Sequence, residues 1–163
     1  MGRQFWTYFL VGLAVVGGGI FAAFYLNQGS RVDLTGSILK VRSYPDGSSG
    51  AIVFVDFRVT NPSTRPFVVN GVTVTMETPD NEVAMAVTLS KEDAAKIAKY
   101  YKLIGPQYND VLAIEDKIAP VETVDRMAAA RFNFPPKFLE QRKTLHLKIQ
   151  EIDGAVADIT EKK

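Results

Sequence analysis

Residues 51–60 read AIVFVDFRVT, and this stretch decides the fold. Every second residue from Val53 to Val59 is apolar, and polar side chains such as Asp56 occupy positions between them. A period of two is typical of a β-strand with one face buried and the other in water. We therefore expect Val53, Val55, Phe57 and Val59 to be buried, and the face that carries Phe54, Asp56, Arg58 and Thr60 to meet solvent.

The same alternation recurs along the chain. It places Val72, Val74 and Met76 on one face of a second strand, and Leu145, Leu147 and Ile149 on one face of another. Further strands are predicted at Val32–Tyr44, Val83–Leu89, Val111–Glu115, Thr123–Phe134 and Ala155–Thr160. Turn residues separate them, because Asn61-Pro62 and Asn70-Gly71 favour reversals. Seven or eight short strands predict an all-β, immunoglobulin- or fibronectin-III-like antiparallel sandwich.

One segment has a helical period instead. Ser90 is placed to cap a helix whose first turn contains Glu92 and Asp93, and apolar residues then recur at helical spacing up to Tyr101. We predict a helix over Lys91–Leu103, ended by Gly105 and Pro106. It would be an insertion packed on an edge or end of the sandwich.

The N-terminal run from Phe5 to Leu26 has 22 residues and no charged side chain. As a helix it would measure roughly 33 Å, enough to cross a bilayer core of about 30 Å. A cleaved signal peptide is the alternative, but its apolar region is usually only about 7–15 residues long. The bulky Phe24, Tyr25 and Leu26 also follow Ala22 and Ala23, where cleavage would need small residues. We expect residues 1–28 to be a tail and transmembrane anchor and residues 29–163 to be one β-sandwich domain.

The anchor implies a location and a second contact. A short tail followed by one span is the usual layout of a signal anchor, which predicts a periplasmic or extracellular domain, although the flanking charges do not settle the orientation. Ala14, Gly18 and Ala22 recur every four residues and form a smooth helical face. Such faces allow close helix pairing in lipid, so homodimerisation through the span is an open hypothesis. The frequency of Gly and Ala in membrane helices is an equally good explanation.

The composition argues against nucleic acid binding and against catalysis. Arg3 is the only charged residue before residue 29, so the domain carries 18 basic and 18 acidic residues. A balanced domain without a basic run has little attraction for a phosphate backbone. There is no cysteine and only one histidine, His146, on the polar face of a predicted strand. We predict no catalytic residue, no metal site and no cofactor.

Two aromatic groups are candidate partner contacts. The first is the apolar strip around residues 132–139, and the second is the pair of tyrosines at the end of the predicted helix. For each, the alternative is that the rings pack inside the protein, at a corner of the sandwich or between helix and sheet. The candidate residues are Phe132, Phe134, Pro135, Pro136, Phe138, Tyr100 and Tyr101.

The stretch from Phe54 to Val69, FVDFRVTNPSTRPFVV, resembles the motif of the LEA14-like (water stress and hypersensitive response) domain family. In that motif a strand runs into an Asn-Pro turn, here Asn61-Pro62, and the next strand starts with an apolar residue. The segment Leu145–Gly154 is loosely compatible with the end of the domain. The resemblance implies a membrane-anchored, bacterial-type member with a sandwich fold, a link to stress responses and no established catalytic residues.

Two functional hypotheses follow. In the first, the chain is a membrane-anchored, non-enzymatic interaction module that presents a sheet face or its helix to a protein, polymer or lipid. In the second, it is an apolar-ligand or lipid carrier tethered at the bilayer surface. A preformed tunnel lined by Phe57, Val59, Met76 and Ile97 would favour the carrier, and a solid core would favour the module.

Overall fold

The computed structural model describes residues 2–27, 33–47 and 49–161. The chain divides into two compact units, residues 1–31 and residues 32–163. The first contains one helix among its described residues, and the second contains every strand that the structure describes.

Helix α1 extends over Arg3–Asn27 and includes the whole of the apolar run. Large apolar side chains along it are exposed, among them Leu10, Leu13, Val16 and Ile20. Among the residues whose side chains are described, none forms a helix long and apolar enough to cross a membrane.

The second unit contains nine strands among the described residues, with two further α-helices and a 3-10 turn at Lys102–Ile104. The strands are β1 (Thr35–Asp46), β2 (Gly50–Thr60), β3 (Phe67–Glu77), β4 (Val83–Met85), β5 (Val87–Thr88), β6 (Lys117–Ile118), β7 (Thr123–Phe132), β8 (Thr144–Glu151) and β9 (Val156–Thr160). The helices are α2 (Lys91–Tyr100) and α3 (Pro136–Glu140).

The strands form two antiparallel sheets. Sheet A has the order β1-β2-β7-β5, and sheet B has the order β4-β3-β8-β9, with β6 paired to the start of β3. Apolar side chains of both sheets form one buried cluster, in which Phe57, Val74, Leu147 and Phe132 are packed together. The domain is therefore a β-sandwich, as the period of two predicts.

The inner faces of β2, β3 and β8 are those predicted. Val53, Val55, Phe57 and Val59 are fully buried, as are Val74, Met76, Leu145, Leu147 and Ile149, and Val72 is 9% exposed. Burial of each such side chain contributes roughly 1.5–3 kcal/mol, so the strands are held by this face.

The outer face of β2 differs from the prediction. Phe54 is fully buried and Asp56 is 4% exposed, although both were expected in water. The reason is a second apolar cluster on this side of sheet A, in which residues of α2 and the following loop cover the sheet. Its members are Ile52, Phe54, Ala94, Ile104, Val111, Met127 and Ala129.

The predicted helix is confirmed in position and in its cap. The Ser90 hydroxyl accepts a hydrogen bond from the Asp93 amide at 3.1 Å. Helix α2 ends at Tyr100, and the 3-10 turn then continues to Ile104, where Gly105 has a φ of 86°. The predicted strand over Val111–Glu115 is wrong, because this segment makes only an isolated parallel bridge from Val111 to Met127. Strand β6 and helix α3 were not expected.

Candidate functional site

The apolar strip around residues 132–139 is mostly packed inside the domain. Phe132 is fully buried, Phe134 packs against the inner core, and the two rings lie 4.8 Å apart. Phe138, in α3, is 42% exposed, and the centroid of its ring lies 5.9 Å from that of Phe134. Phe132 was therefore wrong as a partner contact, and the strip is a corner of the sandwich with Pro135 and Pro136 partly buried.

The two tyrosines at the end of α2, Tyr100 and the C-cap residue Tyr101, have different environments. Tyr100 is 77% exposed, whereas the ring of Tyr101 lies 4.9 Å from the ring of Tyr44 in β1. Tyr101 thus helps to seat the helical segment on sheet A, the alternative given above. Tyr100 remains available at the surface.

A buried polar cluster lies under the loop that follows α2. The guanidinium of Arg42 donates to Asp56 Oδ2 through Nε at 3.1 Å and through Nη2 at 2.8 Å. Arg42 Nη1 also donates to the carbonyl oxygens of Ile104 and Pro106, at 2.9 and 2.8 Å. Asn109 Nδ2 completes the cluster by donating to Asp56 Oδ1 at 3.2 Å. These hydrogen bonds connect β1 and β2 to Ile104, Pro106 and Asn109, so the cluster fixes the loop on the sheet.

Strand β8 carries the histidine, His146, and the buried Glu151. His146 Nδ1 lies 3.0 Å from Asp158 Oδ1 on partly exposed strands. Burial, together with the charge of Asp153, raises the pKa of Glu151 above its ordinary value. Glu151 is 4% exposed and its Oε2 atom has no hydrogen-bond partner. In the described part of the chain, no three His, Asp or Glu residues are grouped as metal ligands.

One exposed apolar feature of the domain's strands was not singled out from the sequence. The segment from Glu82 to Leu89 crosses from one sheet to the other: β4 pairs with β3 in sheet B, and β5 pairs with β7 in sheet A. Ala86 is buried and Ala84 packs on the core, whereas Val83, Met85 and Val87 are 75%, 72% and 62% exposed. We call these three side chains the crossover surface.

The alternation in this segment is the reverse of the usual one, since the small residues face inward and the large ones outward. No charged residue lies between Val83 and Ser90. Charged residues make up 23% of the whole chain. An uncharged run is therefore the sequence signal that could have identified this surface.

Two cavities lie beside Lys91, at the start of α2. The first, the side cleft, has a volume of about 590 Å³ and lies between β3, β5, the start of α2 and residues 112–114. Its apolar lining comes from Val72, Leu89, Leu112 and Ile114. The second, the polar cavity, has a volume of about 410 Å³ and is lined mainly by charged side chains. Lys91 lines both cavities.

The four residues whose lining of a tunnel would favour the carrier are divided between two clusters. Phe57, Val59 and Met76 are fully buried in the core between the sheets. Ile97 belongs to the other cluster, on the outer side of sheet A. The side cleft is lined by different residues and is open to solvent.

Comparison with known proteins gives similarity in structure alone. No protein-family model matches the chain, and no match was found among curated proteins. A solved protein from Archaeoglobus fulgidus is 16% identical, with a TM-score of 0.46 over 79% of this chain and 94% of that one. An uncharacterized β-sandwich protein from Clostridium difficile 630 is 14% identical, with a TM-score of 0.35 over 80% of this chain and 81% of that one. A conserved hypothetical protein from Bacillus anthracis is 11% identical, with a TM-score of 0.37 over 78% of this chain and 87% of that one.

Proposed function

We propose that this protein is a membrane-tethered, non-enzymatic interaction module whose crossover surface binds a protein partner. The observation that carries the proposal is the exposure of Val83, Met85 and Val87 side by side on one uncharged segment. Contiguous apolar side chains on a soluble domain commonly mark an interaction site. Met is also enriched at protein interfaces, where its flexible thioether adapts to a partner.

The tether in this proposal is α1. Its apolar run from Phe5 to Leu26 is long enough for one span, and the domain would then lie outside the cytoplasm. Pairing of two copies through Ala14, Gly18 and Ala22 is part of the same proposal. A tethered module gains effective concentration for a partner in the same membrane, so a small contact surface can suffice.

The finer assignment of the fold is also a proposal. The Asn61-Pro62 turn supports an immunoglobulin- or fibronectin-III-like sandwich of the LEA14-like kind, with a role in stress responses. In the structure Asn61 is fully buried, and its side chain donates to the carbonyls of Arg65 and Ile118 at 2.7 and 3.1 Å. The turn is thus a fixed structural element, as a family motif would require.

The second candidate is a carrier of small apolar ligands. The side cleft favours it, because its volume of about 590 Å³ is in the range of small-molecule sites. The full burial of Phe57, Val59 and Met76 in the core between the sheets favours the interaction module, since a carrier for long apolar chains needs an enclosed cavity. We therefore place the module first.

The test is a pull-down of tagged full-length protein from mild detergent. A variant with Val83→Ser, Met85→Ser and Val87→Ser should lose its partner, because each lost apolar contact weakens binding by about 1 kcal/mol and the three together by on the order of a hundredfold. Ile152→Ser with Val156→Ser is the matched control, since these residues are 64% and 52% exposed and lie in and beyond the β8–β9 turn.

The outcomes separate the proposals. Retention of the partner by the triple variant would refute the role of the crossover surface. If a fluorescent fatty acid binds the wild type and no longer binds variants in which residues of the side cleft are replaced by leucine, the carrier would be favoured. Loss of membrane association on deletion of residues 1–28 would support the tether.

A further inference from the structure

The polar cavity lies apart from the crossover surface and joins side chains from four segments of the chain. It is lined by Lys91, Gln107, Asp110, Val111, Asp116, Lys117 and Arg126. These residues belong to the start of α2, to the loop after the 3-10 turn, to the region of β6, and to β7. Several convergent polar groups in a concave site are typical of a small-ligand site.

Two of its charges neutralise each other. Lys91 Nζ donates to Asp116 Oδ1 at 2.8 Å, and the Ala113 amide donates to Asp116 Oδ2 at 2.8 Å. Burial raises the pKa of Asp116, but these hydrogen bonds and the charges of Lys91 and Arg126 outweigh it and hold the pKa below its ordinary value. Asp116 is thus a fixed carboxylate whose oxygens are both engaged, and it forms one wall of the cavity.

The other two cations have donors to spare. Arg126 is partly buried, and its one described hydrogen bond is a long one, from Nη1 to the Asp125 carbonyl at 3.3 Å. Neither Arg126 nor Lys117 has a carboxylate within ion-pair distance among the residues that the structure describes. Asp116 and Asp110 line the same cavity but lie beyond ion-pair distance of Arg126, so the partly buried guanidinium keeps donors for a ligand.

One acidic side chain opposes these cations. Asp110 lines the same cavity and is exposed. With Lys91 and Asp116 paired, the cavity retains two cations and one anion, a net positive charge.

We propose that the polar cavity binds a small oxyanion, a carboxylate or a phosphate, with Arg126 as its main ligand and Lys117 as a second. The planar fork of a guanidinium matches two oxygens of either group, and an ammonium adds a second charge from the side. The phosphate could be a free ion or the headgroup of a lipid, since both present the same oxygens.

The test uses the full-length chain in neutral detergent, titrated with sodium phosphate or sodium acetate at constant ionic strength. Binding is followed by calorimetry or by NMR shifts, with chloride as the reference anion. Arg126→Gln should weaken binding at least about tenfold, as expected for loss of charge-assisted hydrogen bonds. Arg131→Gln is the matched control, because Arg131 lies in the same strand and pairs with Asp46 away from the cavity.

Two further variants make the test independent of folding. Lys117→Gln, at an exposed residue, should weaken binding severalfold. Asp110→Asn should strengthen it severalfold, because it removes the opposing charge, and a general loss of structure would not have this sign. No binding of either anion, or equal binding by wild type and Arg126→Gln, would overturn the proposal.

A lipid arm identifies the source of the phosphate. Short-chain phosphatidylglycerol below its micelle concentration is compared with short-chain phosphatidylcholine and with free phosphate. Stronger binding of phosphatidylglycerol that is lost in Arg126→Gln would assign a lipid headgroup. Equal affinity for free phosphate would assign a soluble anion. These measurements leave the crossover surface intact, so their failure is separate from failure of the proposed function.

Discussion

The buried pair of Arg42 and Asp56 gives the sharpest stability prediction. Their side chains are only 9% and 5% exposed, and Asp56 is the one carboxylate among the described residues that contacts this guanidinium. Asp56→Ala would leave Arg42 charged and buried without a counterion. Removing one partner of such a pair costs about 3–5 kcal/mol.

The structure also predicts which segment should become less stable in Asp56→Ala. Arg42 holds the carbonyls of Ile104 and Pro106, and Asp56 holds Asn109, so the loop after α2 should loosen along with the pair. For a domain of this size the loss corresponds to a fall in Tm of roughly 10–20 °C. Amide exchange in residues 104–110 should accelerate more than exchange in the inner strands.

The assay is equilibrium denaturation of wild type and variants, with amide exchange as a local readout. The control is Asp125→Ala, which breaks the pair of Arg58 and Asp125 on the neighbouring strands β2 and β7, where the side chains are 54% and 35% exposed. That pair is solvated, so its loss should change stability little. If Asp56→Ala were no more destabilising than Asp125→Ala, the buried cluster would not hold the loop as described. Arg42→Met with Asp56→Leu should recover only part of the loss, since an apolar pair needs no counterion but leaves the Ile104 and Pro106 carbonyls without the Arg42 donor.

Three other predictions follow from single residues. Because the folded pKa of Glu151 lies above its ordinary value of 4.5, its ionised form is penalised in the native state. Wild type should therefore lose stability relative to Glu151→Gln as the pH rises through that value, and parallel pH profiles in denaturant titrations would contradict this. Val121 has a φ of 56°, which is costly for a β-branched residue, so Val121→Asn should raise the unfolding free energy by about 1 kcal/mol; a lower Tm would refute it. Asn61→Ala should cost about 2–4 kcal/mol, because the Ser63 amide loses its acceptor, Asn61 Oδ1 at 3.0 Å, and the buried Ile118 carbonyl loses the Asn61 Nδ2 donor at 3.1 Å. A calorimetric Tm within 2 °C of wild type would contradict that role.

Local sequence patterns predicted the buried strand faces and the start of the helix correctly. The period of two in β2 identified the buried face from Val53 to Val59, and the cap at Ser90 identified the start of α2. Both depend on residues close in sequence. Strand β1 and strand β9 were also placed within a few residues of their bounds.

The errors arose where distant segments cover one another. Phe54 and Asp56 look solvent-facing within their strand, and they are buried only because a segment some 40 residues later folds over them. In the same way Phe132 is covered by the corner of the sandwich, whereas Val83 and Met85 remain exposed although they are apolar. A single strand's pattern does not contain this information. Exposure in the folded domain, not apolar character within one strand, distinguishes the crossover surface from the buried Phe132.

The most direct test of the interaction proposal is site-specific photo-crosslinking in membranes that contain the full-length protein. The chain has no native cysteine, so one benzophenone can be attached at Met85→Cys, with Ile152→Cys as the control position. We predict one discrete adduct from Met85→Cys, lost when Val83→Ser and Val87→Ser are added, and none from Ile152→Cys. The same adducts from both positions, or an adduct that survives the serine substitutions, would contradict the proposal.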